Sequence, residues 1–341
     1  MTRVAYLGPE GTFTHQAAVR WVRAQAAAGA VPTTSLTPGG GGADGGADGG
    51  ADGGADVELV PASTVTDVYA GVASGEFDHG IVAIESSVEG YVVPSLDAIV
   101  GSEDVVAVDE VVLEITFDAF VRPGHGALTE VTAHPHGLAQ CQDFVVRSGA
   151  VPVPSSSNAA ACRDATEHQI AIGPAICGEL YGLDLLEAGV EDFRGARTRF
   201  LAIVRRDRAQ AALAAARVVG ADAQWRTMLA LTPHVTGPGV LARITQAFGA
   251  GGVNLSSLIT RPLKALEGKY VFVLTVDAAP WEPAVREVLD GLLGAGDSVK
   301  TLGVFPARGE LDEALSSDHV PVGSVRAGAS ADELRRGLLW G

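Results

Sequence analysis

Short apolar runs and helical stripes alternate along the first two hundred residues. Residues 4–7 have the composition of a buried strand, closed by the turn Gly8-Pro9-Glu10-Gly11. Ala17, Ala18, Trp21 and Val22 then share one face of a helix starting near Thr12 or Thr14. Leu59-Val60 reads as a short strand, and Val65, Val68, Tyr69 and Val72 mark a second helix. Residues 80–84 form a strand, and 111–121 read as one long extended segment stopped by Pro123-Gly124. Helices follow at 138–146 and 158–165, with a strand at 169–172 between them and a short helix ending at Tyr181. Gly182 sits in the C′ position, which favours a left-handed residue. Residues 200–204 form another buried strand, entered through a turn at 197–199. This alternation predicts an α/β region of two lobes over residues 1–205.

After an Ala/Arg/Asp-rich stretch at 206–224, read as a linker, the pattern changes. Strands at 227–231, 253–260, 270–276 and 299–305 enclose two helical stripes. Val240, Leu241, Ile244, Ala247 and Phe248 make the first, and Val285, Val288, Leu289 and Leu292 the second. The order βαββαβ over 225–307 predicts a ferredoxin-like sandwich. A tail at 308–341 ends in a short helix, where Ser330 and Glu333 have capping-box spacing. Residues 39–56 contain GGAD four times in tandem. The unit is too poor in apolar residues to bury a face, so it reads as a flexible acidic insertion. Calcium binding by its aspartates lacks the fixed turn and closing Glu of a calcium loop.

The bulk numbers narrow the function. With 341 residues, 47% of them hydrophobic, the chain can bury real cores. A net charge of −17 argues against nucleic acid or an anionic membrane as partner. Three widely spaced cysteines fit a reducing cytoplasm without a disulfide framework. The apolar runs fall short of the ~20 residues of a membrane span, and Met1–Gly11 lacks a signal-peptide pattern.

Five polar clusters could carry chemistry. YLGPEGTFTHQAA puts a helix N-terminus, Thr12 and Thr14 after a strand, which suits an anion, although a plain capped turn fits equally. IVAIESSVEGY ends a buried strand in Glu85, Ser86 and Ser87, where open α/β sheets place ligands. TAHPHGLAQCQDF carries His134, His136 and Gln140; the histidines lack a third metal ligand and read as hydrogen-bonding or capping groups. PSSSNAAA, with Ser156 and Asn158, reads alone as an ordinary N-cap. The last cluster, Arg197-Thr198-Arg199-Phe200, sets two guanidiniums beside one hydroxyl. The bland reading is a solvated turn; the functional one is a hydroxyl that donates to a leaving oxygen. Cofactor, dinucleotide, phosphate-loop and metal motifs are missing from the sequence, so no cofactor is expected.

The order YLGPEGTFTHQAA, IESSVEG, HPHGLAQC, YGL and TRF resembles the prephenate dehydratase family. The following GPGVLARITQAFGAGGVNLSSLITRP resembles the amino-acid-binding ACT domain carried by such enzymes. Together they cover about residues 3 to 306, apart from the insertion. The resemblance implies a two-lobed, periplasmic-binding-protein-like dehydratase domain followed by the ferredoxin-like ACT domain. It implies conversion of prephenate to phenylpyruvate with loss of water and carbon dioxide, in phenylalanine biosynthesis. By resemblance Thr198 assists the leaving hydroxyl, with Arg199, Phe200 and Glu85 around it. Thr12, Thr14, Ser86, Ser87, His134, Gln140, Ser156 and Asn158 would line the substrate cleft. Gly239, Leu241, Asn254, Leu255 and Arg261 match the effector motifs, where phenylalanine would bind between subunits of a homodimer or homotetramer. The chain departs from the family pattern at Ser86, Ala133, His136, Gly195 and Ile259. Ser86, Ala133 and His136 leave open a sister activity, arogenate dehydratase or a prephenate decarboxylase, and two lobes around a cleft with a sensing second domain would also suit a non-catalytic aromatic-ligand sensor.

Overall fold

The computed structural model describes residues 1–29, 36–38, 57–219, 223–263, 270–308, 321 and 324–339. The GGAD insertion at 39–56 lies outside the described residues. Residues Met1–Arg308 form one compact unit and Gly309–Gly341 another.

The first lobe opens with β1 (Thr2–Leu7), α1 (Phe13–Ala27), β2 (Leu36–Pro38), β3 (Val57–Ala62), α2 (Val65–Ser74) and β4 (His79–Ser86). It continues with β5 (Gly90–Tyr91), α3 (Val93–Gly101) and β6 (Val105–Glu114). Capping fixes its helices. The Thr12 hydroxyl accepts the His15 N–H at 3.2 Å and starts α1. Thr64 and Asp67 form a reciprocal capping box on α2, which Gly75 ends in the left-handed region at φ 81°. Val65, Val68, Tyr69 and Val72 are buried as the stripe requires, each worth roughly 1.5–3 kcal/mol over exposure.

The second lobe holds β7 (Asp118–Val121), β8 (Glu130–Ala133), α4 (Pro135–Gln140), α5 (Gln142–Ser148) and β9 (Val151–Pro154). It closes with α6 (Asn158–Asp164), β10 (Gln169–Gly173), α7 (Ile176–Tyr181) and β11 (Asp184–Glu187). The chain then returns to the first lobe as β12 (Arg197–Arg205). Gly182 caps α7 at φ 61°, in the position read from sequence. The segment 111–121, read as one strand, is two. Its first part belongs to β6 and its last to β7, in a different sheet, with residues 115–117 crossing between lobes. The return crossing runs beside it. Ile115 N–H donates to Ala196 O at 2.7 Å, Val190 N–H to Phe117 O at 2.8 Å, and Phe117 N–H to Glu191 Oε2 at 2.9 Å.

The stretch 206–224, read as a linker, carries a 3-10 turn (Arg206–Arg208) and the helix α8 (Ala209–Val219). Ala209 packs with Val106 and Val108 of β6, and Leu213 also meets Trp225. The alanines that suggested a spacer are a helix-forming, close-packing surface. The second domain follows as β13 (Trp225–Thr232), α9 (Val240–Ala250), β14 (Leu255–Pro262), β15 (Tyr270–Val276), α10 (Pro283–Gly294) and β16 (Ser298–Pro306). Its strand order β14-β15-β13-β16 is the ferredoxin-like sandwich. In the separate unit, α11 (Ala331–Leu338) has the capping box of Ser330 and Glu333.

Among the described residues, one eleven-stranded sheet runs β14-β15-β13-β16-β6-β12-β4-β1-β3-β2, with β5 on β4. The second lobe keeps its own sheet, β11-β7-β10-β8-β9. The second domain therefore joins the first lobe edge to edge. Gly303 of β16 pairs in parallel with Ala107 of β6. A Cβ at residue 303 would stand 2.8 Å from the Ala107 Cβ, so this approach needs glycine.

Candidate active site

Thr198 lies inside β12, in place of the turn read from sequence. It pairs with Ser86 of β4 on one side and Leu113 of β6 on the other. The β4–β12 register shifts between Arg199 and Phe200, whose partners are Glu85 and Ala83. Ile84 is the extra residue, and its carbonyl accepts the Val92 N–H at 2.9 Å. Such a bulge re-aims the side chains around it.

Alternation sorts this strand by face. Thr198 falls with Phe200 and Ala202, which pack against α1 and the second lobe. Arg199 falls with Leu201 and Ile203, which pack against α2, α3 and the second domain. The guanidinium and hydroxyl, adjacent in sequence, thus serve opposite sides of the sheet. Arg199 Nη1 lies 3.1 Å from Glu85 Oε2, and its Nε lies 3.2 Å from Glu110 Oε2. Phe200, 1% exposed, is core. Arg197 anchors the loop after β4: its N–H donates to Ser87 Oγ at 2.9 Å, and its carbonyl accepts the Ser87 N–H at 2.8 Å. Ser86 Oγ accepts the Val88 and Glu89 amides at 3.3 and 3.4 Å, which shapes the same turn.

Glu89 reaches from that turn to the second lobe. Its Oε2 lies 2.9 Å from His136 Nδ1, and its Oε1 accepts from Gln140 Nε2 at 2.9 Å. His134 caps α4, its Nδ1 accepting the His136 N–H at 3.2 Å. Burial, with His136 beside it, holds the His134 pKa below the usual histidine value. That agrees with an Nδ1 that must stay unprotonated to accept. Asn158 Oδ1 accepts the His134 N–H at 2.8 Å and so ties α6 to α4. Gly137 makes room, since a Cβ there would stand 2.5 Å from Asn158 Oδ1. Ser156 is exposed just before Ser157, the residue that caps α6.

The Gly-rich turn closes the site from the β1 side. Thr12 Oγ1 donates to Pro9 O at 3.0 Å, so its hydroxyl holds the turn. Thr14 is buried on the first turn of α1. His15, missed in the sequence reading, accepts the Gly11 N–H on Nδ1 at 3.1 Å, and burial lowers its pKa. Tyr181 of the second lobe donates to Glu10 O at 2.6 Å. Thr198 therefore pairs with Ser86 next to the turn that meets α4 through Glu89, and the Gly8–Gly11 turn meets α7 through Tyr181 and Cys177.

The effector motif residues fall at one end of the second domain. Gly239, at φ 87°, precedes α9, and Leu241 on its first turn is 43% exposed. Asn254 is exposed, donates to Asp277 Oδ2 at 2.6 Å, and precedes Leu255 at the start of β14. Arg261 lies elsewhere: it grips Asp97 of α3 through Nε and Nη2 at 2.7 and 2.9 Å. Glu89, Glu110 and Arg226 were not singled out from sequence. For Glu110 a signal existed, since Asp109-Glu110 interrupts the apolar run VVAVDEVVL. Among the described residues, no cluster of three or more His, Cys, Asp or Glu is arranged to hold a metal.

Comparison with known proteins fits this geometry. Residues 50–208 match the family model for prephenate dehydratase. The prephenate dehydratase of Mycobacterium sp. (strain JLS) is 34% identical over 311 residues, 90% of this chain and 89% of the relative. The structure of the Arthrobacter aurescens prephenate dehydratase in complex with L-Phe is 27% identical, with a TM-score of 0.68 over 90% of each chain. The quorum-quenching acylase GqqA, 22% identical at a TM-score of 0.69 over 89% of this chain and 98% of its own, shares the fold. With the ordered motifs in place across two facing lobes, and a relative this similar over nine-tenths of the length, this chain belongs to the prephenate dehydratase family.

Proposed function

We propose that the cleft between the lobes dehydrates prephenate, with Thr198 as the donor to the departing hydroxyl. The observation that carries the reading is the placement of Thr198 on the face of β12 turned to the second lobe. Loss of the ring carboxylate as carbon dioxide leaves its bonding electrons in the ring. They expel the hydroxyl across the ring, which leaves as water after gaining a proton, and phenylpyruvate remains. Aromatisation drives the step, so the protein need only orient the dianion and stabilise charge on the leaving oxygen. Ser87, Gln140 and Asn158 supply further polar groups along the same cleft, and Glu85 acts from behind through Arg199. Replacing Thr198 by Ala is expected to lower kcat about 100-fold or more, the usual cost of one such donor. Product absorbance in base measures it. Unchanged kcat excludes the donor role, and a product that keeps the hydroxyl oxygen by mass excludes dehydration.

The same reading gives the second domain an aromatic amino acid as effector. The Arthrobacter relative's complex with L-Phe supports it, as does the exposed pair of Leu241 and Asn254 beside Gly239. It also divides the chain into a catalytic part at 1–205, a regulatory part at 225–307 and a tail at 308–341. The protein would work as a homo-oligomer in the cytoplasm, where its three buried free thiols stay reduced.

A further inference from the structure

Glu110 is 2% exposed within an apolar strand. A carboxylate that deep is costly to keep charged unless cations and donors surround it. Three segments supply them. Arg226 Nη1 lies 3.0 and 3.3 Å from the two carboxylate oxygens, the Arg308 backbone N–H donates to Oε1 at 2.6 Å, and Arg199 Nε stands 3.2 Å from Oε2. Arg226, 3% exposed, comes from β13 of the second domain. Its Nε lies 3.7 Å from Asp277 Oδ1, and Asp277 in turn holds Asn254. At the other end Arg199 meets Glu85. Opposite charges therefore follow one another from Glu85 through Arg199, Glu110 and Arg226 to Asp277.

The hydrogen bonding in this row is incomplete. Arg199 Nε, Arg226 Nε and Asp277 Oδ1 are sealed from water without an aligned hydrogen-bond partner, although opposite charges stand within 4 Å. Joining two domains does not require such a row, because apolar side chains of similar volume usually do it as well or better. A loosely aligned row can instead re-aim one guanidinium between two carboxylates, and Arg199 stands between Glu85 and Glu110.

We propose that Glu110, held by Arg226 of the second domain, is a positioning residue that sets how Arg199 meets Glu85 at the bulge beside Thr198. The charge row extends that control to Asp277, at the effector-motif end of the second domain. The proposal rests on the assignment of Thr198 above.

The test uses the full-length protein with prephenate. Glu110→Gln and the double variant Glu110→Gln/Arg226→Met are assayed for kcat, KM and melting temperature. The double variant removes the closest buried anion and cation together, while Asp277 keeps its hydrogen bond from Asn254 and Arg199 keeps Glu85. A kcat lowered about 100-fold is expected, the scale of a misplaced catalytic group, with KM changed far less and the double variant melting close to wild type. Wild-type kcat in the double variant overturns the positioning role. Asp277→Asn is expected to lower kcat about threefold without a change in melting temperature; unchanged kcat there overturns the reach into the second domain. Thr198→Ala separates the two readings. Full activity in that variant overturns the donor assignment, whereas activity lost there but kept in the double variant overturns this proposal alone.

Discussion

His79 is a titratable side chain of the first lobe whose surroundings change its chemistry. It packs against Trp21 with ring centres 4.8 Å apart and planes tilted by 54°, and its Nδ1 is sealed from water without a partner. Burial pushes its pKa down from 6.5 to about 4, with Asp78 pulling it up and Arg208 opposing. A folded pKa below the unfolded one gives a contribution that is complete above pH 6.5 and lost as pH falls through 4. The full difference is worth about 3 kcal/mol. Urea midpoints of wild type and His79→Gln measured across that window should converge as the pH drops; parallel curves exclude the assignment. Gly137 gives a second residue-scale test. With Ala there, Cβ meets Asn158 Oδ1 and the hydrogen bond from the His134 amide breaks. The expected loss is about 1–3 kcal/mol of stability, read in the same assay, with a raised KM because the edge of the cleft moves.

At the scale of elements, local signals and long-range partners separate. Thr64→Ala removes a cap and should cost about 1 kcal/mol in unfolding free energy. No difference from wild type would exclude the box formed with Asp67. This kind of structure was legible in sequence. The stripes of α1, α2 and α10 and the order of the second domain followed from period and capping alone. The split of 111–121 was not legible. Apolar residues continue through Ile115 and Phe117, and only the crossing between two sheets interrupts the strand. The helix at 209–219 was obscured because its alanines offer little hydrophobic contrast. In the site, the motif residues were visible, but their facing was not. Arg197-Thr198-Arg199 looked like one cluster, whereas strand geometry puts the hydroxyl on one side and Arg199 on the other. Glu110 and Arg226 are 116 positions apart, so no local pattern could pair them.

Across the whole molecule, the notable feature is the seam between the second domain and the first lobe. Besides Gly303 and Ala107, Arg206 Nη2 donates to Thr301 O at 2.8 Å, Lys300 Nζ donates to Val100 O at 2.8 Å, and the Tyr91 and Ser257 hydroxyls meet. Arg261 and Asp97 add a bidentate ion pair. Residues 1–308 should therefore unfold in one calorimetric transition, although their sequence reads as two domains. Gly303→Val forces β16 from β6 and should split that transition or lower its midpoint, while an unchanged single transition would remove the seam as the source of cooperativity. The seam also bears on how the chain behaves when cut. Strand β6 reaches residues 105–108 with few charges and no proline, and β16 covers that side. A catalytic half made without the second domain would carry an uncovered sticky edge, the geometry by which strands of separate molecules stack into aggregates. The regulatory half would then also be the catalytic half's protection against its own copies.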